Sequence, residues 1–179
     1  MKQKLVAGIL LILTIFIFCG RVASQGAGQQ TAMRTEPPMK GHRGTKFYYS
    51  REINPFYPEL APYHRTRGGY VTGNCTWYAW GRVCEMRGSK LEHVFTGDAG
   101  TWFEQNKKES CYPYGQEPKK GAILCYKTHV AVVEDTDPLT VSESGWKIEN
   151  KKSRIVFHCG EPWRKEEKPL GYIYVTEDD

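Results

Sequence analysis

The chain has 179 residues, with 25 lysines and arginines against 20 aspartates and glutamates, for a formal charge of +5 at neutral pH. Lys2, Lys4 and Arg21 supply three of those charges and no acid accompanies them in residues 1–24, so the remainder carries only +2. That is too little for the concentrated basic patch of a nucleic-acid binder, and the length suits one domain around one core.

The N-terminus reads Met-Lys-Gln-Lys, an apolar run from Leu5 to Phe18, then Cys-Gly-Arg-Val-Ala-Ser. This is the three-part layout of a secretory signal, and the run is too short to span a bilayer comfortably. Residues 1–24 are expected to be removed after the small residues Ala23 and Ser24, which places the protein outside the cell with no stable membrane span. Lipid attachment at Cys19 is the alternative, disfavoured by bulky Phe18. Residues 25–46 hold Gly, Gln, Pro and charges with few large apolar side chains, and are expected to form a flexible tether. The folded domain is expected over 47–179, beginning with an irregular lead-in that runs to Tyr70.

After Gly73, Asn74 is a good N-cap and Gly88 a good C-terminal stop, so a helix is predicted between them with Cys75 at its first position. Unpaired amides and the positive end of the helix dipole stabilise a thiolate there. Cys75, Tyr78, Ala79 and Val83 recur at helical spacing, which predicts one inward face with Cys75 at its mouth. Trp77 and Trp80 are expected in the core. A second short helix is predicted from Gly97-Asp98-Ala99 to about Lys107, capped by Asp98 and anchored by Trp102 and Phe103. Strands follow at Ala122–Tyr126, His129–Glu134, Leu139–Ser142, Arg154–His158 and Gly171–Val175, spaced as an antiparallel meander. Two helices followed by about five strands give an α+β fold, the helices packed on the sheet. The turn Asp135-Thr136-Asp137-Pro138 makes a hairpin; if it centres on Thr136, residue i faces residue 272 − i and His129 lies directly opposite Glu143.

Gly-Asn-Cys-Thr-Trp-Tyr-Ala-Trp-Gly-Arg, from Gly73 to Arg82, resembles the nucleophile segment of CHAP domains, the cysteine- and histidine-dependent amidohydrolases and peptidases. Pro118-Lys119-Lys120-Gly121-Ala122-Ile123 followed by Thr128-His129-Val130-Ala131 resembles the family's second signature, in which the histidine is the base. Val-Ser-Glu-Ser-Gly-Trp, from Val141 to Trp146, resembles a third segment, with Gly145 where asparagine is usual. The resemblance implies a papain-like fold, Cys75 as nucleophile, His129 as general base and a peptidoglycan or peptide substrate. Glu143, on register and resemblance together, is expected to orient the imidazole. Tyr70, Asn74 and Trp146 are expected to line the substrate cleft. The implied protein is a secreted, cell-wall-associated peptidoglycan hydrolase, an N-acetylmuramoyl-L-alanine amidase or a peptide-bridge endopeptidase. The missing asparagine motivates the alternative of a non-catalytic wall-binding module with the same fold.

Removal of residues 1–24 leaves five cysteines, an odd number. The motif makes Cys75 the free thiol, and Cys84, Cys111, Cys125 and Cys159 could pair in any of three connectivities; Cys111–Cys125 with Cys84–Cys159 is favoured because 111 and 125 flank one turn. Cys125-x-x-x-His129 also admits a zinc reading, but no paired short ligand spacing accompanies it, so no metal or cofactor is expected. A monomer is expected.

Overall fold

The computed structural model describes residues 32–38, 44–57, 73–149 and 152–176. The proposed leader, Cys19 and Tyr70 lie outside the described residues. Among the described residues three α-helices, α1 (Lys46–Tyr49), α2 (Cys75–Arg87) and α3 (Trp102–Glu109), precede a six-stranded antiparallel sheet. Its strands are β1 (Tyr114–Gly115), β2 (Ile123–Cys125), β3 (Val130–Thr136), β4 (Leu139–Glu149), β5 (Lys152–Gly160) and β6 (Gly171–Ile173). The expected α+β class with helices on a sheet is the observed one. Among the described residues no helix is long and apolar enough to cross a membrane.

The order in the sheet is β1-β6-β2-β3-β4-β5. The expected meander holds from β2 to β5 and then fails, because β6 crosses back to pair with β2 and β1 instead of extending the sheet from β5. Burial explains the return. At that place Ile173 points into the helix-side core and Tyr172 into the opposite cluster, so both faces of the strand are covered. The period of two is equally clear in β2 and β3. Ile123, Cys125, Val130 and Val132 face the helices, whereas Leu124, Ala131 and Val133 join Ala122, Tyr126 and Val141 on the other side. β4 and β5 are longer than their predicted counterparts, and β1 has no predicted counterpart.

Asn74 caps α2 as its sequence position demands: its side-chain oxygen accepts the backbone N–H of Trp77 at 3.1 Å and the hydroxyl of Thr76 at 3.1 Å. Gly88 closes the helix in the left-handed conformation, φ 75°. The prediction of one inward face is corrected, since every residue from Thr76 to Cys84 is buried. The outer side of α2 is wrapped by the lead-in. Tyr48 O accepts from the Trp77 indole at 2.7 Å, Ile53 O accepts from that of Trp80 at 2.8 Å, and the Asn54 amide donates to Phe47 O and Trp77 O. Gly81 lies against Tyr48, where a Cβ would come within 2.3 Å of the ring. Part of the stretch expected as a tether also sits on this side: Arg34 pairs with Glu85, and Ala32 O accepts from Arg82 at 2.9 Å. Composition missed this docking because its anchors are a guanidinium and backbone carbonyls, Pro38 O also accepting from the Tyr49 hydroxyl at 2.8 Å.

The second helix differs at its start. Ala99–Thr101 form a 3-10 turn before α3, and the Asp98 side chain makes no capping bond. Gln105 ties α3 to the loop before it, accepting from Thr96 N at 2.9 Å and donating to Thr96 O at 2.6 Å. Trp102 and Phe103 are buried as expected.

Among the described residues no disulfide forms; Cys75, Cys84, Cys111, Cys125 and Cys159 are all free, which corrects both expected pairings. Cys125 is sealed in the middle of the sheet, its thiol directed at Ile123 O, while Cys111 sits beyond the end of α3 beside Glu109. Cys84 is fully buried in the helix-side core, and Cys159 stands across from Ser142 on β5. Burial pushes the Cys125 and Cys84 thiols up, the latter to about 11, which makes both poor nucleophiles for exchange at neutral pH.

Candidate active site

The hairpin register differs from the expected one and still delivers the pair it predicted. At the turn, Thr136 faces Leu139 and Asp135 faces Thr140; further on, Val133 faces Val141 and Val132 faces Ser142. The irregularity between Val133 and Asp135 places one extra residue, Glu134, on β3. Continued from Val132 and Ser142, the pairing sets His129 opposite Gly145, two residues from the predicted partner. Because side chains alternate with a period of two, a two-residue offset keeps Glu143 on the face of His129 as a diagonal neighbour. Without the extra residue the offset would be odd, and Glu143 would point to the opposite face. The bulge is thus what aims the carboxylate.

Glu143 is 0 % exposed, and its Oε2 lies 2.6 Å from Nε2 of His129, itself 5 % exposed. The second oxygen, Oε1, accepts the backbone N–H of Trp163 at 2.8 Å. The imidazole shares one cleft with Cys75. With Nε2 committed to Glu143, the nitrogen left for Cys75 is Nδ1. Burial alone would lower the imidazole pKa, but the hydrogen bonds to Cys75 and Glu143, with their charges, outweigh it and push it up to about 9. Thiol, imidazole and carboxylate therefore stand in the order that nucleophilic acyl transfer requires, with the thiol on the first residue of α2.

Cys75 and His129 are located by contacts to the backbone around them. Cys75 is held by the Asn74 cap and by Ser144 of β4, whose hydroxyl donates to Gly73 O. His129 follows a tight loop in which Tyr126 N donates to His129 O at 2.8 Å. Beneath that loop lies Gly100, where a Cβ would come within 1.9 Å of Lys127 O and 2.8 Å of Lys127 C. Gly100→Ala is expected to displace the loop and lower kcat by on the order of 100-fold, because a misplacement near 1 Å is worth that much. Steady-state rates of wild type and variant, with melting curves to confirm folding, measure this.

The raised imidazole pKa gives a second expectation. A cationic His129 is favoured by folding, so its contribution to stability is complete below about pH 6.5 and is lost as pH rises through about 9. The melting temperature of wild type relative to His129→Gln should accordingly shrink across that interval. Calorimetry from pH 6 to 9.5 measures the difference.

A cleft of about 370 Å³ opens over Cys75 and His129. Asn74 and Trp146 line it as expected, the latter 54 % exposed. Trp163, Arg164 and Glu167 form a further wall that the sequence reading did not include. They sit in a polar loop after β5, and the one hint was Trp163 itself, an aromatic residue amid charges. Its ring centroid lies 5.9 Å from that of His129 and 5.3 Å from that of His158.

No curated protein matches the chain. Residues 65–145, from ahead of α2 to Gly145 on β4, match the model of the CHAP domain, the unit of a family of peptidoglycan-hydrolase-like amidases and peptidases, which is the family the sequence motifs resemble.

Proposed function

We propose that the protein is an exported cysteine amidohydrolase or peptidase that cleaves an amide bond of peptidoglycan, with residues 1–24 as its leader and 47–179 as its catalytic domain. The observation that carries this reading is that Cys75 and His129 line one cleft with the fully buried Glu143 bonded to the far side of the imidazole.

Cys75 Sγ gives its proton to His129 and attacks the amide carbonyl. The imidazolium beside it stabilises the thiolate, and the Cys75 backbone N–H stabilises the developing oxyanion. As the tetrahedral intermediate collapses, the C–N bond breaks and His129 passes its proton to the departing amine, leaving a thioester on Cys75. His129, now neutral, takes a proton from water; hydroxide adds to the thioester, the C–S bond breaks, and the proton returns to sulfur. Glu143 holds the Nε2–H throughout, which keeps Nδ1 as the working nitrogen. No step calls on a cofactor.

Incubating the domain with purified cell walls tests this reading. Wild type is expected to release new amines, and Cys75→Ala and His129→Ala to release none above the enzyme-free rate. A wild type that binds walls and releases nothing overturns it in favour of a wall-binding module.

A further inference from the structure

Gly145 and the loop after β5 together bear on how His129 is held, an inference that rests on the catalytic reading of His129 and Glu143. A Cβ at position 145 would lie 3.3 Å from Cε1 of His129 and 3.5 Å from Cζ3 of Trp163. The backbone there is outside the left-handed region, so conformation does not demand glycine. Space is what limits the position, because a Cβ would be tight against the imidazole and in contact with the indole. Trp163 makes a second contact with the same pair, through its backbone N–H and Oε1 of Glu143 at 2.8 Å. Two turns stiffen the loop, Lys165 N to Pro162 O at 3.2 Å and Glu167 N to Arg164 O at 2.8 Å. The His158 ring stacks on the indole at 24° between planes, while its Nε2 donates to Glu161 O at 2.8 Å. Trp163 lies beyond residues 65–145, the part of the chain that matches the family.

We propose that Trp163 is a positioning residue for His129 and Glu143, and that its indole occupies the room a side chain at position 145 would take, so that Gly145 and Trp163 work as a matched pair. The consequence is that substitutions at the two positions are not additive. Trp163→Ala unpacks one side of the imidazole and should lower kcat by about 10- to 100-fold with KM within about twofold, and Trp163→Phe should restore most of the loss. Gly145→Asn alone should lower kcat by about 10-fold by crowding His129. In the Trp163→Ala background the same Gly145→Asn should raise kcat, since the vacated space now receives it.

A double-mutant cycle on these four proteins tests the pairing through two readouts, cell-wall hydrolysis and the pH profile of Cys75 alkylation by iodoacetamide. The expected result is a recovery in the double variant by both readouts, the alkaline limb of the alkylation profile moving in Trp163→Ala and moving back in the double. Additive losses, or a Trp163→Ala protein with wild-type kcat and alkylation profile, overturn the proposal. If wild type releases nothing from walls, the peptidase reading fails by itself, and the alkylation cycle still decides the pairing. If Trp163→Ala does not melt cooperatively, Gly145→Ala in the wild-type background decides it: a shifted alkylation profile supports the pair and an unchanged one overturns it.

Discussion

Glu143→Gln should lower kcat by about 10²- to 10⁴-fold while leaving the fold intact, a range set by amide substitution of the orienting acid in comparable triads. The carboxylate meets two donors at once, the His129 imidazole at one oxygen and the Trp163 backbone N–H at the other. An amide has one oxygen to offer. If that oxygen stays with Trp163, the NH₂ group faces Nε2 of His129 and forces the proton onto Nδ1, where it blocks acceptance from Cys75. If the amide is flipped, two donors collide at Trp163. The first arrangement removes the working tautomer, the second loses the Trp163 contact that holds the side chain, and neither changes the side-chain volume. Steady-state kinetics measure the loss, and near-native melting would separate it from unfolding.

Arg82→Met should cost about 3–5 kcal/mol of stability, the penalty for breaking a buried ion pair from one side. Arg82 is 1 % exposed and Glu134 0 %. The guanidinium forks onto Glu134 at 2.7 Å through Nε and 2.7 Å through Nη2, and reaches Glu85 at 2.9 Å. Ser142 donates to Glu134 as well, at 2.5 Å. This pair ties α2, seven residues beyond Cys75, to β3, five residues beyond His129, so it fixes the separation of nucleophile and base. The double variant Arg82→Met with Glu134→Leu should lose less stability than Arg82→Met alone, since no unpaired carboxylate remains buried. Denaturant midpoints of the three variants check the order.

Cys75, its capping Asn74 and the helix end at Gly88 were legible because each rests on local rules: a cap three residues before an amide it can reach, and a glycine where φ turns positive. The meeting of His129 with Glu143 was legible only through parity. The assumed turn centre was wrong by one position, yet the error in register was even. What parity could not supply is the reason, a bulge at Glu134 that is itself anchored by Arg82 from another element.

Non-local facts were out of reach in the same way. The return of β6 between β1 and β2 depends on which sheet position covers both Tyr172 and Ile173, and the Trp163 wall depends on a loop folding back over β4. The cysteines show the limit of counting, because parity named a free thiol but could not see that the other four are free as well.

The most direct test of the account is acid-quenched peptide mapping of the protein after brief mixing with soluble peptidoglycan fragments. An acyl adduct on Cys75 is predicted, absent in Cys75→Ala, and its mass would name the bond: a muramoyl group for an amidase, a peptide for an endopeptidase. New amines released with no adduct on Cys75, and released equally by Cys75→Ala, would contradict the account.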